Sequence, residues 1–193
     1  MGKIILCRGK KADTPLTVLQ TGVKLYTAEE LCYYIYNNIY LIGQDFIDDN
    51  LISFLDETGE KELAERVRKL KETGGSLAQI FVIILKTIDY YSVAEIEQLK
   101  EILNTLGKQS VCERLKARGD GYLNAGYYFA AIRCYESIIK DYKGKDLLAA
   151  DYAKVYHNMG TAYARMFMYD KAVIYYDEAY RTGQHEESKK CSI

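Results

Sequence analysis

The sequence predicts an all-α fold of antiparallel helical hairpins behind a small β-like N-terminal segment. Three observations carry that expectation. Only one proline, Pro15, occurs in 193 residues, so little interrupts helices further along. Apolar residues recur at helical spacing in runs separated by glycines and opened by cap residues. One pattern of a large residue, Gly, Tyr, Ala and an aromatic occurs twice, with Gly119 and Gly160 separated by 41 positions.

The elements follow in order. Residues 1–26 hold three short β-type runs, Ile4–Cys7, Leu16–Leu19 and Val23–Tyr26, punctuated by Gly9, Pro15 and Gly22. They predict a hairpin or three-stranded flap. Residues 27–107 read as five helices. Thr27 and Glu30 form a capping box, and the helix it starts is predicted to run to about Ile42 before Gly43. At 100° per residue, Leu31, Ile35, Ile39 and Ile42 share one side and Tyr33, Tyr36 and Tyr40 the other, so both sides are expected to be covered. Asn38 falls in the apolar stripe and needs a partner. A second helix is expected from about Asp45 to Asp56. A charged amphipathic helix then follows from Glu60. Ser76 opens a very apolar helix over 77–90, and a capping box at Ser92 and Glu95 leads one to Leu106. Residues 108–182 carry the duplicated pattern, and 183–193 form a polar tail.

The duplicated pattern comprises Leu115, Gly119, Tyr122, Ala131, Tyr135 and Ile138, then Tyr156, Met159, Gly160, Tyr163, Ala172, Tyr176 and Ala179. It resembles the tetratricopeptide repeat, a helix–turn–helix unit of about 34 residues. The extra residues here lie around Tyr142–Ala150, where longer helices are expected. The resemblance implies a short stacked solenoid, with Gly119 and Gly160 at the closest approach of each helix pair and Ala131 and Ala172 as the facing small surface. It implies a binding groove on the first helix of each repeat. Carried onto this chain, the groove positions are Glu113, Lys116, Asp120, Leu123 and Asn124, then Lys154, His157, Thr161, Ala164 and Arg165. Some members of that family hold a partner's C-terminal carboxylate with Lys and Asn side chains from three repeats. Lys116 and Asn158 match two such positions, but Asp120 stands where an Asn is expected and no third repeat follows.

The function implied is therefore a non-catalytic scaffold or adaptor that binds a protein or peptide. The alternative is a regulatory sensor that binds a peptide or small ligand and acts through a partner. Composition narrows the field further. A net charge of -1 speaks against nucleic acid and against an electrostatic membrane binder. The longest apolar run, Ile80–Leu85, is far too short to span a bilayer, and the start lacks the length of a signal peptide and the myristoylation pattern. Five cysteines at 7, 32, 112, 134 and 191 make an odd number with no C-x-x-C, as reduced thiols in a cytoplasm would.

Catalytic and metal chemistry have little to work with. His157 and His185 are the only histidines. His157 could serve Cys134 as a base, but no orienting acid stands at telling spacing. Gly119, Gly121 and Gly126 lack the preceding strand of a phosphate loop, and Gly119 in Arg118-Gly119-Asp120 is accounted for by helix packing. Asp48 with Asp49 and Glu29 with Glu30 are adjacent pairs on diverging helix sides. Lys3, Arg8, Lys10 and Lys11 make the N-terminal segment locally basic. No catalytic residue, metal ligand or cofactor is expected. The last repeat helix leaves Val173, Ile174 and Tyr180 towards its sides and back beside Met166–Met168, so that end is expected to be covered by a second copy, a partner or the N-terminal segment.

Overall fold

A computed structural model describes Cys7, residues 9–141 and residues 147–183. The expected run at Ile4–Cys7 (Cys7 apart), Lys3, Arg8, His185, Cys191 and the polar tail from 184 lie outside the described residues, as do 142–146 of the inter-repeat stretch. Among the described residues the fold is all-α apart from one two-stranded sheet. It divides between Lys108 and Gln109 into two compact units.

The first unit begins with strands β1 (Leu16–Val18) and β2 (Val23–Leu25), paired antiparallel with Leu16 opposite Leu25 and Val18 opposite Val23. Leu16, Val18 and Leu25 turn into the core while Thr17 and Lys24 face out, which is the alternation a one-sided sheet needs. Leu19, expected in the first strand, sits in the turn at 80% exposure.

Helix α1 (Ala28–Asn37) starts at the predicted capping box: Glu30 N–H donates to Thr27 Oγ1, and Thr27 N–H to the Glu30 carboxylate. It ends earlier than the predicted Ile42. Asn37 and Asn38 turn their amides back onto the Tyr33 and Tyr34 carbonyls, competing with the next helical turn. That bond also supplies Asn38 with its partner. Ile39 and Ile42 remain buried from the turn beyond. The tyrosine side is covered only in part, since Tyr36 stacks on Tyr91 at 4.2 Å between centroids while Tyr40 is 53% exposed.

The second predicted helix is really a 3-10 turn (Gln44–Phe46) followed by α2 (Asp49–Glu57). Asp48 sets the break: its carboxylate accepts from Leu51 N–H and makes it the N-cap. Helices α3 (Lys61–Glu72), α4 (Leu77–Ile88) and α5 (Val93–Lys108) complete the unit. Ser76 with Gln79 and Ser92 with Glu95 cap α4 and α5 reciprocally. One apolar cluster runs through the unit, with Leu31, Ile35, Leu51, Leu55, Phe81 and Ile84 all closed to solvent. α4 packs against α1, α3 and α5.

The second unit consists of α6 (Val111–Asn124), α7 (Tyr128–Asp141), α8 (Ala149–Arg165) and α9 (Tyr169–Gly183). α6 packs on α7 and α8 on α9, with lesser contacts of α7 and α6 to α8. The two hairpins turn with the same hydrogen bonds. Tyr127 N–H reaches Tyr122 O at 2.9 Å, and Met168 N–H reaches Tyr163 O at 2.9 Å. Ala131 closes on Tyr127 as Ala172 does on Met168.

Both signature glycines sit at close approaches, but an aromatic ring rather than the expected alanine faces each of them. A Cβ on Gly119 would lie 2.6 Å from the Tyr135 ring, and one on Gly160 would lie 2.7 Å from the Tyr176 ring. Ala131 and Ala172 are buried, but the atoms nearest the place of the missing Cβ are those of the ring. A side chain at either glycine would have to push out a packed ring, which is overpacking of a tight core. Gly160→Leu is therefore expected to destabilise the second unit by about 3 kcal/mol. Its melting transition should fall by about 10 °C or more, and a shift under about 2 °C would show that the ring yields freely.

Candidate partner-binding face of the second unit

The candidate binding residues lie on α6 and α8, and the structure brings five of them (Lys116, Asp120, His157, Asn158 and Thr161), with Tyr135 of α7 and Tyr176 of α9, into two polar knots. The first knot centres on Asp120. Its Oδ2 accepts from Lys116 Nζ at 2.8 Å, one turn earlier on α6. Its Oδ1 accepts from the Tyr135 hydroxyl at 2.7 Å and from Asn158 Nδ2 of α8 at 2.8 Å. Asn158 Nδ2 also reaches the Tyr135 hydroxyl at 3.4 Å. One carboxylate thus joins three helices, with side-chain exposures of 21% for Lys116 and 32% for Asp120.

The second knot stands at the matching place of the other hairpin. Thr161 follows Gly160 as Asp120 follows Gly119, and its hydroxyl lies 3.2 Å from the Tyr176 hydroxyl. Thr161 also donates to the His157 carbonyl at 3.1 Å. The His157 ring leans on the Tyr176 ring, 5.2 Å between centroids. In each hairpin the glycine admits the ring and the next residue holds its hydroxyl.

The remaining marked residues stand apart from these knots. Lys154 is exposed on α8, 3.7 Å from Asp151. Asn124 and Arg165 are exposed at the last positions of α6 and α8. Glu113, a groove position by resemblance, is engaged at the helix start, where it exchanges bonds with Ser110 in a capping box. That box was readable from the Ser110…Glu113 spacing. The Asp120–Asn158 link was not, because its ends are 38 residues apart on different helices.

This geometry bears on the carboxylate-holding pair. Lys116 and Asn158 both point at one anion, but that anion is Asp120 of the chain itself. Cys134, the residue weighed as a nucleophile, is buried in α7. Cys32 is also buried, and its burial followed by the charges of Glu29 and Glu60 pushes its thiol well above the usual range. Among the described residues, no three His, Cys, Asp or Glu side chains gather as a metal site, and no helix is long and apolar enough to cross a membrane.

The turn between α8 and α9 presents Phe167 at 78% exposure with φ +61°. Its counterpart in the first hairpin is Gly126, at φ +82°. Glycine takes this left-handed conformation freely, whereas a phenylalanine there costs about 1 kcal/mol. Tyr169 and Ile174 are also well exposed beside it.

Burial, and then the hydrogen bond to Asp120, hold the Tyr135 phenol above its ordinary range. A raised phenol pKa contributes stability that is intact below the unfolded value of about 10 and lost as pH rises above it. Tyr135→Phe is expected to cost about 1–2 kcal/mol at pH 8, because Asp120 and Asn158 lose a shared partner. It should also flatten the loss of stability between about pH 10 and 12, as read from denaturant unfolding across that range. An unchanged alkaline slope would mean that neither burial nor Asp120 raises this phenol.

Comparison with family models, with curated proteins and with solved structures finds no match.

Proposed function

We propose that the second unit is a pair of tetratricopeptide-like repeats stacked as a short solenoid, and that the chain is a non-catalytic cytoplasmic module that binds a protein or peptide segment along α6 and α8. The observation that carries this reading is the repetition itself. Turn hydrogen bonds, glycine–tyrosine approach and hydroxyl-holding residue recur at a 41-residue offset in both hairpins. Repeats of this kind leave the face of their first helices open to a ligand.

The charge along that face sets what it would take. Asp120 neutralises Lys116 on α6, whereas Lys154 and Arg165 project from α8 with His157 on the same helix. The ligand is therefore read as an acidic segment, held at the α8 end. The test is capture of a partner from native cells by the full chain, followed by titration of that partner against Lys154→Glu with Arg165→Glu. The double variant is expected to weaken binding by about tenfold or more, mainly through rim electrostatics. Equal affinity for both proteins would refute the assignment of the face.

A second copy of the chain is the proposed cover for the exposed side of α9. Asp170, Ile174, Asp177 and Arg181 fall on one stripe of that helix. Antiparallel pairing about a two-fold axis sets Asp170 of one copy against Arg181 of the other, with Ile174 and Asp177 equally near the axis and facing each other. Light scattering should give a dimer mass that Val173→Asp with Ile174→Asp converts to monomer. A wild-type monomer at about 100 µM, well above the dissociation constants of specific dimers, would refute this pairing.

A further inference from the structure

In the first unit α4 lies between α3 and α5, and a groove of about 880 Å³ opens along it. Its floor includes Ala78, Val82 and Ile83, half-buried residues that pack on the core beneath and expose their other side. Their spacing is that of one helix stripe, and from Ala78 to Lys86 it covers about 12 Å, a little over two turns. The charged residues around the groove are Arg66 from α3, Lys86 from α4 and Lys100 from α5. No acidic side chain lines it among the described residues. Lys86 and Lys100 both bond to Glu97, at 3.3 and 3.0 Å, which is one anion for two cations. Arg66 is exposed and makes no ion pair among the described residues.

An apolar floor with cations on all three contributing helices is the complement of a particular shape. An amphipathic helix that carries an apolar stripe with acidic residues on its flanks would cover the floor and meet the cations. The stripe from Ala78 to Lys86 along the groove matches a docked segment of two to three turns. We propose that this groove is a docking site for an acidic amphipathic helix of a protein partner. It is separate from the face of the second unit and does not depend on that reading.

The test uses the full chain and a labelled synthetic peptide of about 14 residues, roughly four turns, with leucines at i, i+4, i+7 and i+11 flanked by glutamates. Fluorescence anisotropy at low salt should give saturable binding, with a dissociation constant below about 100 µM. Replacing the glutamates by lysines should weaken it by about tenfold, and raising the salt should weaken it as well. Arg66→Glu, an exposed change that leaves the fold intact, should cost about fivefold, and Val82→Asp should abolish binding. Lys154→Glu with Arg165→Glu should have no effect. The proposal is overturned by equal binding of the acidic and basic peptides, by indifference to Arg66→Glu, or by no binding up to about 1 mM, the range of very weak contacts. It is equally overturned if the second-unit variant is what abolishes binding, or if phosphatidylserine vesicles bind the chain through Arg66 and the acidic peptide does not.

Discussion

The second unit depends on one contact made twice, a tyrosine ring laid against a helical glycine. Gly119 and Gly160 have no Cβ, and the rings of Tyr135 and Tyr176 occupy the space where one would be. This sets how near the two helices of each hairpin can come. It also fixes where the phenol hydroxyl ends up, at the following residue of the first helix. A phenylalanine would fill the same space, but would leave the polar end of the contact unmade. That accounts for part of the tyrosine excess in this chain, 19 against 5 phenylalanines. In such a core each ring needs both an apolar slot and a hydrogen-bonding neighbour.

The first unit is stabilised by different means. Side-chain caps open α1, α2, α4 and α5 but not α3, and one apolar cluster joins these helices. α4 shows the consequence. A helix that is apolar on nearly every side must be buried on most of them. Ile80, Phe81, Ile84 and Leu85 take the buried side, against neighbours that include α1, α3 and α5. What is left, Ala78, Val82 and Ile83, is only half covered. The groove is thus the remainder of a helix too apolar for the neighbours this unit provides.

Local chemistry was legible in the sequence where it acts over three or four residues. The β-type runs at Leu16–Leu19 and Val23–Tyr26, whose first three residues pair as strands, and the boxes at Thr27 and Ser92 could be read directly. So could the duplicated glycine and tyrosine positions. Two boundaries were misread for a common reason. Asn37 and Asn38 end α1, and Asp48 delays α2, through short side chains that compete for backbone groups. A periodicity of apolar residues carries no record of that competition, since Ile39 and Ile42 are buried whether or not the helix continues. The facing partner of each glycine was also misassigned, because spacing gives the residues that alternate along a helix but not which of them reaches furthest across. The Asp120 knot and the groove over α4 need the order in which helices pack, which no local pattern contains.

The two hairpins solve the same packing problem with different charge, and the difference gives the face its polarity. Asp120 brings a negative charge into the first knot, and that charge draws in both Lys116 and Asn158. The cation and amide that could meet a ligand's carboxylate are already satisfied by an internal one, and an incoming anion would have to displace a carboxylate held by three donors. Thr161 does the equivalent work in the second hairpin without charge, and the residue matching Lys116 there is His157 rather than a lysine. Among the described residues Lys154 pairs with Asp151 at the long distance of 3.7 Å. α6 thus carries an internally neutralised pair and α8 carries Lys154 and Arg165 exposed, although the turn hydrogen bonds of the two hairpins repeat each other.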